Sequence, residues 1–326
     1  MKKKLLTSEP PKNCPGTNSE DAGKSEACQG CPNQGICSTG IPVAPDSDME
    51  AIRERMSTIK NKIIILSGKG GVGKSTVSTQ LAFTLSRDKN IEVGLLDIDI
   101  CGPSIPLTLG LQGEQVHCSG SGWQPVFVSE NLCAMSIGFL LPRADEPVIW
   151  RGPKKNGLIR QFLREVEWGS LEYLLIDAPP GTSDEHLSIV QLLKEDLTGA
   201  VVVATPQSIS LLDVRKEINF CKKVGLPLIG VVENMSGFVC QHCKQKSSEL
   251  FTSSEGGAER MASAMGCPFL GRISVDPRVG RCTDSGLSYV DAYEDQPVAV
   301  QFLSLAKKVS DYCLGKKTCG QQENLI

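Results

Sequence analysis

Ile63-Ile64-Ile65-Leu66-Ser67-Gly68-Lys69-Gly70-Gly71-Val72-Gly73-Lys74-Ser75-Thr76 decides the fold class. The apolar run Ile63–Leu66 suits a strand buried on both faces, and the pattern from Lys74 to Leu85 suits a helix. Between them, glycines let backbone N–H groups turn inward around phosphate oxygens, backed by the positive N-terminus of the helix. Lys74 would pair with the β- and γ-phosphates, and the Ser75 hydroxyl would ligate Mg²⁺. A glycine-rich loop by itself is most often a turn. The strand before it and the helix after it make this one a phosphate loop. The expected nucleotide-binding set is Gly68, Lys69, Gly70, Gly71, Val72, Gly73, Lys74, Ser75 and Thr76.

Outward from this loop, Val93–Leu96, Tyr173–Ile176, Ala200–Ala204 and Leu228–Val232 read as further buried parallel strands. Helical patterns lie at Asp184–Leu193, Leu211–Val224, Ala258–Met265 and from Gln296 to about Tyr312. The alternation predicts an α/β fold with a doubly wound, mostly parallel sheet. Ligands bind at the carboxyl ends of strands in such sheets, and acids stand there. Asp177 is the expected Mg²⁺-site acid. Of Asp97 and Asp99, one is expected near Mg²⁺ and the other to position the attacking water. Gly181 is placed to offer its N–H to the γ-phosphate. No guanine-reading Asn-Lys-x-Asp segment occurs, so ATP is the expected nucleotide, with Asn234 reading the adenine edge.

A net charge of −3 gives no electrostatic reason to expect nucleic acid or an anionic membrane as partner. No run approaches the roughly 18 apolar residues of a membrane span. The basic start, Met1-Lys2-Lys3-Lys4-Leu5-Leu6, has no apolar run of an export signal behind it. The expected location is the cytoplasm, with the nucleus as a second compartment. Thiols there stay reduced, so the 14 cysteines ask for metal or redox chemistry. With only three histidines in the chain, that chemistry is thiolate chemistry.

Residues 1–45 are rich in Pro, Gly, Ser, Asn and Lys and hold too little apolar surface to fold alone. They carry Cys14, Cys28, Cys31 and Cys37, a Cys₄ set with one tight Cys-x-x-Cys pair, so a metal is the expected ordering agent. The uneven outer spacing favours a 4Fe–4S cluster over zinc, with zinc and unligated thiols left open. Cys240 and Cys243 form a second pair, expected on a loop. Two thiolates are half a Cys₄ site, which two facing chains would complete. A redox dithiol, or zinc completed by Cys267 or Cys282, are the alternatives. The remaining cysteines read as core fillers or bystanders. The expected organisation is a cysteine segment at 1–45, a linker helix at 46–57 starting at Ser47 or Asp48, an ATPase domain at 58–312 and a polar tail at 313–326.

Together these residues resemble the Mrp/Nbp branch of the deviant P-loop ATPases, cytosolic iron–sulfur cluster assembly factors, in the form with an N-terminal cysteine extension. The motifs that carry the resemblance are Gly68–Ser75, Asp97-x-Asp99-x-Cys101-Gly102-Pro103-Ser104, Asp177 to Asp184, Glu233-Asn234-Met235 and both cysteine sets. The resemblance spans Cys14 to about Tyr312. It implies that Lys69 reaches into the partner's site in a face-to-face dimer, where it acts as an arginine finger does. It implies a stable 4Fe–4S cluster on Cys14, Cys28, Cys31 and Cys37, and a labile one bridging two chains through Cys240 and Cys243. It also implies a homodimer or a heterotetramer with a shorter paralogous ATPase, targeting factors, and transfer of clusters to cytosolic and nuclear apoproteins. An ATP-dependent cluster scaffold is therefore the expected function.

Three rivals share parts of this pattern. A Min/Par-type positioning ATPase would need a membrane-binding helix or a DNA surface and leaves the cysteines unexplained. A dimeric ATPase using a bridging cluster for electron transfer is nearer, though that family places two separated cysteines per chain. A zinc-folded binding module would not need the hydrolytic aspartates.

Overall fold

The five apolar runs all form strands, and each lies in one eight-stranded sheet. The computed structural model describes residues 23–31, 34, 47–141, 150, 152–194, 196–239, 246–247 and 256–322. The strands of that sheet are β1 Asn61–Ser67, β2 Val93–Asp97, β3 Val126–Ser129, β4 Leu132–Met135, β5 Tyr173–Asp177, β6 Leu197–Ala204, β7 Leu228–Glu233 and β8 Phe269–Arg272, and two small two-stranded sheets pair His117–Cys118 with Trp123–Gln124 and Phe238–Val239 with Lys246–Ser247. Their order across the sheet is β8-β7-β6-β1-β5-β2-β4-β3. All neighbours run parallel except the edge strand β3, which is antiparallel to β4.

The helices are α1 Ser47–Ser57, α2 Lys74–Leu85, α3 Ile105–Thr108, α4 Gly152–Glu165, α5 Asp184–Leu192, α6 Ser208–Val224, α7 Gly257–Met265, α8 Pro277–Asp284, α9 Tyr289–Ala292 and α10 Pro297–Gln322. Ile63 and Ile65 face a core shared with Val77, Leu81, Tyr289 and Phe302, from α2, α9 and α10. Ile64 and Leu66 on the opposite face are equally sealed from solvent. Burial on both faces is what makes these strands continuous apolar runs rather than alternating ones. The fold class is therefore the expected α/β, doubly wound, mostly parallel one.

The chain divides into two compact units, Met1–Ala51 and Ile52–Ile326. In the first, Glu26–Cys28 forms a single 3₁₀ turn. The helix expected to be a linker belongs in its second half to the larger unit. Ile52 and Met56 are fully buried there, and Arg55 donates to the carbonyls of Arg164 and Ser121. The closing helix α10 runs to Gln322, well past the expected end near Tyr312. No proline stops it, and Cys313 still packs into the core. Strands β3, β4 and β8 and helix α4 were not expected. Each is short or contains glycine, as at Gly157 in α4 and Gly271 in β8, which weakens its periodic signal. No helix among the described residues is long and apolar enough to cross a membrane.

Candidate functional site

β1 delivers the phosphate loop at its carboxyl end and α2 begins where the loop closes. Gly71 and Gly73 take the left-handed region, at φ 80° and 81°, and Gly73 stands at the N-terminus of α2. A side chain at either would be strained. At Gly68 the constraint is space, since a Cβ would sit 2.6 Å from the backbone of Asp213 on α6.

The parallel register places the acids beside this loop. Ile65 pairs with Asp177, and Asp177 pairs with Asp97, so both carboxylates leave the same edge of the sheet. Asp177 is fully buried and well supplied with donors. Lys74 Nζ lies 2.6 Å from Oδ2, Ser75 Oγ donates to the same oxygen at 2.8 Å, and Ser78 Oγ donates to Oδ1 at 2.5 Å. Asp97, also fully buried, accepts from Ser136 Oγ at 2.9 Å and from the Asp99 N–H at 3.0 Å. Burial, and then the charge of Asp177, push its carboxyl up to about 8 against the opposing pull of Lys74. Asp99 is half-buried, and burial raises its carboxyl too, again opposed by Lys74. Of the two, Asp99 is the one with access to solvent.

Lys69 points the other way. Its Nζ lies 3.4 Å from Asp213 Oδ2, while Lys216 holds the other oxygen at 2.8 Å. Asn234 follows β7, and its Nδ2 donates to the Val72 carbonyl at 2.9 Å, beside Gly73. Thr76 sits in the first turn of α2. Gly181 departs from expectation: its N–H donates to the Ser67 carbonyl at 2.7 Å, so it ties its loop to the end of β1 instead of facing a phosphate.

Several residues at the site were not singled out in the sequence. Ser78 holds Asp177, Ser136 holds Asp97, and Asp213 holds Lys69. Lys155 on α4 pairs with Glu185 on α5 at 2.7 Å. Ser78 alone had a signal, because it lies one helical turn after Lys74 on the same face.

The first unit describes half of the N-terminal cysteine set. Cys31 N–H donates to the Cys28 carbonyl at 3.1 Å, and Gln34 N–H to the Cys31 carbonyl at 2.9 Å. These i→i+3 turns order the backbone through Cys28 and Cys31. Ser25 Oγ lies 3.2 Å from Cys28 Sγ. Cys14, Cys37, Cys240 and Cys243 lie outside the described residues. Cys133, Cys221, Cys282 and Cys313 are buried, as core fillers are, whereas Cys101 and Cys118 are exposed. Among the described residues no three His, Cys, Asp or Glu side chains gather into a metal-holding set.

A family model described as the NUBPL iron-transfer P-loop NTPase, within the ParA group, matches residues 58–310. The chain belongs to this family. A nucleotide-binding protein from Archaeoglobus fulgidus, solved with ADP and with cobalt, is 37% identical and has a TM-score of 0.66. That match covers 78% of this chain and 96% of the other. The cell division ATPase MinD of Pyrococcus furiosus is 21% identical, with a TM-score of 0.55, over 77% of this chain and 99% of its own. A ParA family ATPase from Chlorobium tepidum is 18% identical, with a TM-score of 0.55, over 76% and 98%. The last two share the fold. As an iron-transfer P-loop NTPase, this protein is an ATPase whose phosphate loop stands with Asp177 and Asp97 at one edge of the sheet.

Proposed function

We propose that this ATPase is a scaffold on which 4Fe–4S clusters are assembled and from which they pass to recipient apoproteins in the cytoplasm and nucleus. The observation that carries the reading is the joining, in one chain, of a charged phosphate loop (Lys74 against Asp177) and a turn-held cysteine pair (Cys28 and Cys31).

In this reading MgATP binds at Gly68–Thr76, with adenine at Asn234, and the Archaeoglobus protein, solved in complex with ADP, supports a nucleotide site. Lys74 turns from Asp177 to the phosphates. Ser75 and Asp177 serve Mg²⁺, Asp97 supports them from its buried position, and Asp99 orients the attacking water. Lys69 leaves Asp213 and delivers its charge to the partner chain's nucleotide, so hydrolysis needs a dimer, either with a second copy or with a shorter paralogue.

The donor chemistry fits iron–sulfur clusters, since Cys28 and Cys31 offer soft thiolates and Ser25 a hydroxyl donor beside one of them. Cys14, Cys28, Cys31 and Cys37 would hold a resident 4Fe–4S cluster, which supplies electron storage when bound. The cluster carried by Cys240 and Cys243 is cargo, held between two chains. Iron and sulfide counts on anaerobically purified full-length protein test the reading. Brown protein whose iron falls to one pool on Cys28→Ser and to the other on Cys240→Ser supports it. Colourless protein, or zinc in both variants, overturns it.

A further inference from the structure

The segment that carries Cys240 and Cys243 leaves the sheet after β7 and returns at Gly256 and α7. Both of its feet rest on one side chain. Glu233, the last residue of β7, is 3% exposed and uses both carboxylate oxygens there. Oε1 accepts from Ser236 Oγ at 2.6 Å, on the outgoing foot, and from Arg272 Nε at 3.2 Å on the neighbouring strand. Oε2 accepts from the Ala258 N–H at 2.6 Å, in the first turn of α7 on the returning foot. Gly257, at φ 70°, lets the helix come this close, because a Cβ at that position would strike Oε2.

The backbone closes the same knot. Ile273 N–H donates to the Glu233 carbonyl at 2.8 Å, Ser236 N–H to Ile273 at 2.9 Å, and Val275 N–H to Gly237 at 2.8 Å. The next residue belongs to the other site, since Asn234 Nδ2 bonds the Val72 carbonyl of the phosphate loop. Between the two, Met235 is held at φ 56°, a left-handed conformation that is strained for a side-chain-bearing residue. A helix cap would account for the bond to Ala258. It does not account for the grip on Ser236, nor for a neighbour anchored on the phosphate loop.

We propose that Glu233 is a positioning residue that couples the phosphate loop to the cysteine segment. Movement of the Val72–Gly73 backbone on triphosphate binding passes through Asn234 and the strained Met235 turn to both feet at once. Coupling between two sites in one protein is typically 5- to about 150-fold. The proposal deepens the scaffold reading and rests on it for its purpose, but its test needs no cluster.

The test uses full-length, iron-free protein under reducing anaerobic conditions. Alkylation of Cys240 and Cys243 by iodoacetamide is followed by peptide mass spectrometry, with and without Mg²⁺ and a non-hydrolysable ATP analogue. In the wild type the nucleotide should change the alkylation rate at least about 5-fold. Glu233→Ala should bring that ratio to about 1, with nucleotide affinity within about twofold of wild type. Ser236→Ala releases one foot and leaves Glu233 on Ala258, so it keeps the helix cap and should give an intermediate ratio. Should Glu233→Ala fail to fold, Ser236→Ala decides alone. A wild-type ratio of 1, or a wild-type ratio preserved in Ser236→Ala, overturns the proposal. Absence of iron from native protein would instead count against the scaffold reading and leave this ratio untouched.

Discussion

Lys69 Nζ lies 3.4 Å from Asp213 Oδ2, so the loop lysine is held within its own chain by a carboxylate on α6. The ammonium is 41% exposed and Asp213 is already held by Lys216, so solvent screening leaves the bond weak. Ile209 and Leu212, on the same helix, are among the most exposed large apolar residues described. A weak restraint beside exposed apolar surface suits a lysine that changes partner on dimerisation.

Asp213→Asn should therefore raise ATPase activity at low protein concentration by no more than about fivefold, and leave the rate at saturating protein unchanged. Lys69→Ala should bind ATP normally and lose about 1,000-fold in turnover. Mixing Lys69→Ala with wild-type chains checks the trans role. Full hydrolysis at both sites of the mixed dimer would rule it out.

Lys74→Ala carries a second consequence besides weaker ATP binding. It strips the fully buried Asp177 of its ion-pair partner, and a buried charge left without its partner typically costs about 3–5 kcal/mol. Ser75 and Ser78 still donate to Asp177, which puts the loss at the low end of that range. Thermal unfolding should show a clear drop in Tm for this variant, one that ATP does not restore. Asp99→Ala, at a half-buried site, should bind ATP, keep its Tm and fail to turn over.

Asp97 gives the protein a pH signature. Its carboxyl is raised to about 8 in the folded chain by burial and by Asp177, against about 4 when unfolded. The contribution to stability is full below pH ~4 and is lost as pH rises through about 8. Glu217, with Oε2 buried and without a hydrogen-bond partner among the described residues, is pushed up to about 7 by burial, and then by Asp213, and acts in the same direction. Glu217→Gln lies away from the phosphate loop's own side chains and should raise Tm at pH 8 but not at pH 5. Equal shifts at the two pH values would contradict the assignment.

His186 works in the opposite direction. Burial lowers its pKa to about 4, and Nδ1 accepts from the Ser183 N–H at 3.1 Å, which requires the neutral ring. Its contribution is present above pH ~6.5 and is lost as pH falls through about 4. His186→Gln should flatten the acid limb of the unfolding curve, measured by thermal melts between pH 4 and 7.

What the sequence disclosed and what it hid divide along physical lines. Lys74, Ser75 and Asp177 were legible because a phosphate loop must follow a strand and open a helix, and its acid must end a neighbouring strand. Ser136 was hidden because it is an ordinary polar residue whose partner lies 39 positions away, and Ser78, 99 positions from its partner, showed only its place one turn after Lys74. Asp213 was hidden for the same reason: an acid in a helix reads as solvated until the fold brings its partner near. Gly181 was misread because its left-handed turn suits either a phosphate or a carbonyl, and the adjacent β1 supplied Ser67. The short elements β3, β4 and β8 carry too few residues for periodicity to show.

The scaffold reading is tested most directly by cluster transfer from Cys240→Ser and Cys243→Ser proteins, reconstituted anaerobically, to an apo iron–sulfur acceptor. On the scaffold reading, Cys240 and Cys243 supply two ligands per chain to a site shared by two facing chains, so losing one ligand should empty it. The account predicts that transfer falls to background and that the chelator-labile iron disappears. The tightly held N-terminal iron should remain, and the fold and nucleotide binding should be unchanged. Transfer at the wild-type rate from either variant would contradict it.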